Sequence, residues 1–158
     1  LAGIRIGDVL KMSWKDIVDD RIYYKMGKNS KTVSLKIPQQ IIEILSCYKQ
    51  DKDSNSDYIF PLLKKASRND AKEIYTKTKT AIKKLNKNLK SLAEMAEIDK
   101  KITNHIARHS FGNIAGDKVS PQMLQKLYRH THLSTTIGYQ GNFIHKNADD
   151  ALDSIISF

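Results

Sequence analysis

Two short stretches of this sequence hold the side chains best suited to chemistry. In the first, His105 and Arg108 are three residues apart, so on a helix they share a face, and His109 follows His105 by one turn. In the second, His130 and His132 are followed by Tyr139, nine positions after His130. Imidazoles at i and i+4 can ligate zinc, but Ile106–Ala107–Arg108 between them supplies no glutamate base, sets a cation beside the site and has no cysteine pair nearby. No metal is expected here. Taken singly, each histidine reads as a half-buried, hydrogen-bonded imidazole, and a tyrosine closing a short helix reads as packing. A cluster of cations around that tyrosine would change the reading. A phenol with a pKa near 10 is a poor nucleophile at neutral pH unless a base or fixed cations stabilise the phenolate.

The elements that must position these groups are legible from periodicity and turn chemistry. Thr103 is a good N-cap for a helix over 104–115, with Ile106, Ala107, Phe111, Ile114 and Ala115 as its apolar face. Ser120–Pro121 starts a helix ending near Tyr128, and Ser134–Thr135–Thr136 caps a short helix carrying Tyr139. Upstream, residues 4–12 read as a helix and residues 21–37 as a β-hairpin about the polar turn 27–31, with an earlier strand around Trp14–Val18. Pro38 opens a helix through Tyr48, residues 51–57 form a polar loop, and 68–97 is helical with a break near Asn86–Asn88. Residues 148–156 carry one apolar stripe at helical spacing. The class is α+β, mainly α-helical, with a small antiparallel sheet of about three strands packed on helices.

The chain has 158 residues, enough for one domain with a real core, and its 40% apolar and 28% charged content excludes global disorder. No apolar stretch is long enough to span a bilayer and no signal peptide opens the chain, so a cytoplasmic setting is expected. The first residue is a leucine inside a helix-like pattern, which reads as a fragment. Cys47, the lone cysteine, fits a reducing compartment and is expected as a small core hydrophobe among Ile41, Ile44, Leu45 and Tyr48. The formal charge is +10, and from Lys64 to Lys101 eleven lysines and Arg68 face five acids. That excess favours a polyanionic partner such as nucleic acid, although a solvated lysine face would have the same composition. There are only five arginines, the residue whose planar fork suits directed phosphate recognition.

Three boxes and a hairpin motif, in order, resemble the tyrosine recombinases of the phage integrase family. Ala2–Gly3–Ile4–Arg5–Ile6–Gly7–Asp8 matches the first, T-G-[LIM]-R-[IVF]-[SG]-[ED]; His105 to Phe111 matches H-x-[LA]-R-H-[ST]-[FW]. Leu127 to Tyr139 matches L-x-G-H-x-x-[LI]-x-T-T-x-x-Y, and Gly27 to Lys31 matches the hairpin's G-K-x-x-K. Arg129 replaces the usual glycine before the third-box histidine. The resemblance spans nearly the whole chain and identifies residues 1–158 as a catalytic domain, without the family's N-terminal DNA-clamping domain and the helix ahead of the first arginine.

The resemblance implies a site-specific recombinase or integrase of a bacterial mobile element. Such an enzyme cleaves DNA through a 3′-phosphotyrosine, releases a 5′ hydroxyl, and rejoins by the reverse step without metal, ATP or other cofactor. By the same resemblance Tyr139 is the nucleophile, Arg5 and Arg108 clamp the scissile phosphate, and His130 donates a hydrogen bond to it. His105 assists proton transfer, and Lys28 protonates the leaving oxygen, with Lys31 as its rival. Fixed guanidinium forks answer the added charge of a pentacoordinate phosphorus without a metal ion. Lys31, His109, Arg129, His132, Lys64, Lys65 and Arg68 are expected to contact DNA. The implied partner is double-stranded DNA, with the C-terminal segment either linking protomers into a homotetramer on DNA or packing in cis, and the isolated fragment monomeric. A type IB topoisomerase-like enzyme and a basic DNA-binding module without catalysis are the alternatives. A metal-dependent nuclease would need a carboxylate cluster that the sequence lacks.

Overall fold

The computed structural model describes residues 3–26, 29–54, 57–116 and 118–140. The chain divides into two compact units. One runs from Arg5 to Asn104, and the other joins Ala2–Ile4 to the chain from His105 onward.

The first unit opens with a short helix, α1 (Ile6–Val9), which leads into buried Leu10. A 3₁₀ turn over Trp14–Asp16 follows, then β1 (Ile17–Val18), β2 (Arg21–Met26) and β3 (Asn29–Lys36), hydrogen-bonded in the order β1-β2-β3 and antiparallel throughout. Ile17 faces Ile22 and Val18 faces Arg21, so Asp19 and Asp20 form a two-residue hairpin loop. Both have positive φ, 46° and 47°, as a turn matched to strand twist requires and as aspartate tolerates. In β2, Ile22 and Tyr24 are buried while Tyr23 faces out, the period-2 alternation of a sheet with one covered face.

After α2 (Gln39–Ser46), the longest helix of the unit is α3 (Ala71–Met95). Asp70 caps it, its carboxylate accepting from the Lys72 and Glu73 amides, each at 2.9 Å, a contribution of about 1 kcal/mol. One turn in, the Glu73 carboxylate accepts from Lys77 at 2.6 Å, and that bond, with the Ser67 amide, holds its pKa below the usual value. The core here is Leu10, Tyr58, Leu63 and Ala81, with Ile6, Ile82 and Leu85 packed on it, so α1 is seated against α3.

The second unit is built from three helices, α4 (Asn104–Ala115), α5 (Pro121–Tyr128) and α6 (Leu133–Gln140). Ser120 caps α5 by accepting from the Met123 amide, and Pro121 occupies the first turn, as its sequence signature predicts. Ala115, Leu124 and Tyr128 form the buried centre, ringed by Phe111, Val119, Leu127 and Tyr139. Burying Leu124 alone stabilises the unit by about 2 kcal/mol.

Several expectations need correction. The strand around Trp14–Val18 is only two residues long, because Ser13 and Asp16 form a reciprocal cap that holds Trp14–Asp16 as a turn. No break interrupts α3 at Asn86–Asn88. Asn86 instead turns its carbonyl oxygen to the backbone and side chain of Asn104, at 2.9 and 2.8 Å. Cys47 is exposed at the end of α2, its thiol near the Glu43 carbonyl, and is no core residue. On α4 only part of the apolar stripe is buried: Ala115 lies in the core and Phe111 packs on it, whereas Ile106, Ala107 and Ile114 are exposed and Arg108 and Gly112 point inward. No helix among the described residues is long and apolar enough to cross a membrane. The apolar stripe at 148–156 lies outside the described residues.

Candidate active site

Within the second unit the chain gathers one guanidinium, three imidazoles and two phenols. Arg108 is only 3% exposed, an expensive location for a charge unless its donors are met. Two of its nitrogens are met by main-chain oxygens: Nη1 donates to the Gly3 carbonyl and Nη2 to the Tyr128 carbonyl at 3.0 Å. The guanidinium also lies flat over the Tyr128 ring, 4.0 Å from its centroid. This seat explains why Arg108 turns inward on α4 while Ile106 and Ile114 face out.

Tyr128 is the centre of the arrangement and is fully buried. Its hydroxyl donates to the Arg108 carbonyl, so the two residues grip each other through side chain and backbone in both directions. Burial raises its pKa, which keeps the phenol neutral and donating. Gly3 has φ +62°, and a Cβ there would run into Cε1 of Tyr128. Glycine is therefore required twice, for the backbone conformation and for the close approach.

His130 is aimed by both neighbouring helices. Arg129 ends α5 in the left-handed region (φ 53°), and the His130 amide returns to the Gln125 carbonyl at 3.1 Å, the hydrogen-bond pattern of a glycine-type helix stop built with an arginine. Gln125 Nε2 donates to the His130 carbonyl at 3.1 Å. The ring lies with Nε2 3.2 Å from Arg108 Nη2 and Nδ1 3.0 Å from the Oγ1 of fully buried Thr136. A guanidinium only donates, so Nε2 accepts in this contact and the ring proton sits on Nδ1, given to Thr136.

Tyr139, half-buried on α6, stacks on His109 with ring centroids 4.3 Å apart and planes 15° from parallel. Its ring meets Tyr128 edge-on at 5.2 Å and His130 at 5.3 Å, and the Arg108 guanidinium carbon is 6.0 Å from its centroid. His105 is exposed, with its ring 4.7 Å from His109 and 6.5 Å from Tyr139. Gly112 permits this packing, since a Cβ there would come within 3.0 Å of the Tyr128 hydroxyl and 3.1 Å of Tyr139 Cβ. A phenol bordered by a desolvated cation and imidazoles is the environment in which its oxygen becomes a useful nucleophile toward an anion.

The structure thus brings together His105, Arg108, His109, His130 and Tyr139. Arg5 belongs to the first unit, at the N-terminal boundary of α1, its carbonyl accepting from the Asp8 and Val9 amides. Lys28 and the side chain of Lys31 lie outside the described residues, so the rivalry between them is untouched. Lys64 leans on Asp51, reaching its carbonyl at 2.7 Å and its carboxylate at 3.8 Å, and Arg68 lies 4.2 Å over the Tyr58 ring. Lys65 and His132 are exposed. Arg129 is half-buried, and its Nη1 has no hydrogen-bond partner among the described residues. Among those residues no three His, Cys, Asp or Glu side chains gather as a metal-holding group.

Sequence reasoning missed Tyr128, Thr136 and Gly3 as supports of the site. Tyr128 reads as the last apolar residue of a helix, and only its place directly before Arg129–His130 hints at more.

Comparison with known proteins places these observations in a wider set. The model of the phage integrase family matches residues 1–144. The tyrosine recombinase XerA of Thermococcus onnurineus (strain NA1) is 28% identical over 138 residues, covering 85% of this chain and 45% of that protein. Among solved structures, a XerA recombinase superposes with a TM-score of 0.64 at 23% identity, over 88% of this chain and 48% of the other. The XerH site-specific recombinase bound to palindromic difH substrate, a post-cleavage complex, gives 0.66 at 21% identity, over 96% and 42%. The chain spans about half the length of these relatives.

Proposed function

The chain belongs to the phage integrase family, and from that premise we propose that it cleaves and rejoins double-stranded DNA through a covalent phosphotyrosine at Tyr139. The observation that carries the reading is the seating of a buried guanidinium, 6.0 Å from the Tyr139 ring, on main-chain carbonyls that fix its direction. The Tyr139 oxygen attacks the scissile phosphorus, a P–O bond forms to the phenol, and the bond to the 5′ oxygen breaks. The phenolic proton leaves through an imidazole, His105 being the exposed one at hand, and the departing 5′ oxygen takes a proton from Lys28, with Lys31 as the rival donor. Attack by another 5′ hydroxyl reverses both steps. One phosphodiester is exchanged for another of similar energy, so the balance needs neither ATP nor redox partner.

Arg108 and His130 stabilise the phosphorane, and Arg5 is the second fork that the family's first box assigns. When phosphate displaces the Arg108–His130 contact, both side chains turn donors toward its oxygens. His130 then keeps Nδ1–H on Thr136 while Nε2 takes up a proton from solvent before the attack and donates it in a hydrogen bond to the phosphate. The XerH structure captured with its difH substrate supports DNA as the partner, and the lysine-rich composition of the first unit suits its backbone. Assembly into a homotetramer on DNA through the C-terminal segment completes the reading.

The test is covalent trapping on nicked suicide duplexes made from the DNA that flanks the encoding gene. The wild-type chain is expected to form a protein–DNA adduct that survives denaturing electrophoresis, and Tyr139→Phe none, with DNA affinity held within about threefold. An adduct at wild-type level from the phenylalanine variant would sink the assignment. For the general acid, a 5′-bridging phosphorothiolate is expected to rescue Lys28→Ala, because a thiolate leaves unprotonated; rescue of Lys31→Ala instead would transfer the role.

A further inference from the structure

We propose that His109 is a positioning residue for the nucleophile, holding the Tyr139 ring in its attacking orientation by face-to-face stacking; this rests on the proposed phosphotyrosine chemistry. Tyr139 lies on α6, and a helix backbone alone leaves a long aromatic side chain a choice of rotamers. What fixes it is the ring packing. His109 covers one face at 4.3 Å and 15°, while Tyr128 abuts the ring nearly perpendicularly, at 5.2 Å and 83°. His105 in turn sets its edge against His109 at 4.7 Å and 85°, so the stacking partner is itself braced.

Gly112, three residues beyond His109, lets α6 come close enough for the stack, since a Cβ there would press on Tyr139 Cβ. The face of His109 turned to Tyr139 is occupied by that ring and the side chain is half-buried, unlike an open contact waiting for a phosphate. A nucleophile needs its oxygen aligned with the bond it will break, and small misplacements are costly in rate. An aromatic stack of this kind shifts a conformational population by about three- to tenfold.

The experiment compares wild type, His109→Ala and His109→Phe on nicked suicide duplexes at saturating DNA, measuring single-turnover adduct formation and, separately, DNA affinity. His109→Ala is expected to form adduct about tenfold more slowly with affinity unchanged. His109→Phe, which keeps a flat ring and no nitrogen, is expected to recover most of that loss. Should the alanine variant fail to fold, His109→Leu takes its place with the same expected slowing. Wild-type rates in the ringless variant would overturn the inference, as would equal slowing in alanine and phenylalanine variants, which would indict the ring nitrogens. A defect seen in affinity alone would return His109 to DNA contact. Absence of any wild-type adduct would fell the phosphotyrosine reading and this inference together, whereas a normal wild-type adduct with an indifferent alanine variant fells only this one.

Discussion

The two units divide charge and chemistry unequally. Residues 5–104 hold 19 lysines and residues 105–158 only three, yet the guanidinium, imidazoles and phenols that form a site are gathered in the second unit. In the first, cations stand at the surface and answer local acids, as Lys64 does Asp51 and Lys77 does Glu73. Such exposed pairs are worth roughly 0–1 kcal/mol and yield readily to salt. In the second, Arg108 is withdrawn from water and pinned by carbonyls, where a charge acts at short range and low dielectric. The number of charges in a region thus sets its long-range field, and their desolvation sets how strongly a single charge acts at short range.

Substitutions in the two regions should separate accordingly. The largest effect is expected for Arg108→Lys, which keeps the charge but cannot bridge two carbonyls and a phosphate with one planar fork. Adduct formation should fall about a hundredfold to a thousandfold, and a loss of only a few fold would erase the contrast drawn above.

Tyr128→Phe comes next. Removing the hydroxyl given to Arg108 should cost about 1 kcal/mol, a fall in Tm of about 2–4 °C. The same variant sharpens the pH behaviour. Burial raises the Tyr128 pKa, so the folded chain keeps that proton where the unfolded chain loses it; the stability it contributes is intact below about pH 10 and is lost as pH rises through the folded value. Denaturation followed from pH 8 to 11 should show a shallower alkaline decline in the phenylalanine variant than in wild type.

Arg129→Gly should raise stability by about 1 kcal/mol, because glycine adopts φ 53° without the steric cost that arginine carries there. An unchanged or lowered Tm would mean that the arginine side chain supplies an interaction outweighing that strain. The smallest change is expected in the first unit. Lys64→Ala should alter stability by no more than about 0.5 kcal/mol and reduce DNA affinity a few fold, lowering the salt slope by about one. A loss of adduct formation at saturating DNA would refute the division between the units.

The parts of the site legible in the sequence are those whose chemistry is carried by residue type and order. His105, Arg108, His130 and Tyr139 stand in boxes with fixed spacing, and cap-then-proline at Ser120–Pro121 announced α5. The face of α4 was not legible: apolar periodicity favoured Ile106 and Ile114, whereas the inward side is decided by carbonyls of Gly3 and Tyr128 that are distant in sequence. Asn86 looked like a helix breaker because asparagine disfavours helix interiors, but its amide satisfies Asn104 from within a continuous helix. Cys47 was misplaced because it stands at the end of α2, where of its apolar neighbours only Leu45 is buried and Ile44, three residues before it, is exposed as well.

The bond from Arg108 to Gly3 spans 105 positions and has a consequence for biosynthesis. The guanidinium needs the Gly3 carbonyl and another that is made only when Tyr128 is added, 125 positions later. At about 5–20 residues per second the ribosome takes several seconds to supply both. Until then the guanidinium lacks one of the carbonyls that fix its direction. A product truncated anywhere before Tyr128 lacks that carbonyl and the Tyr139 phenol together, and leaves Arg108 without its buried seat.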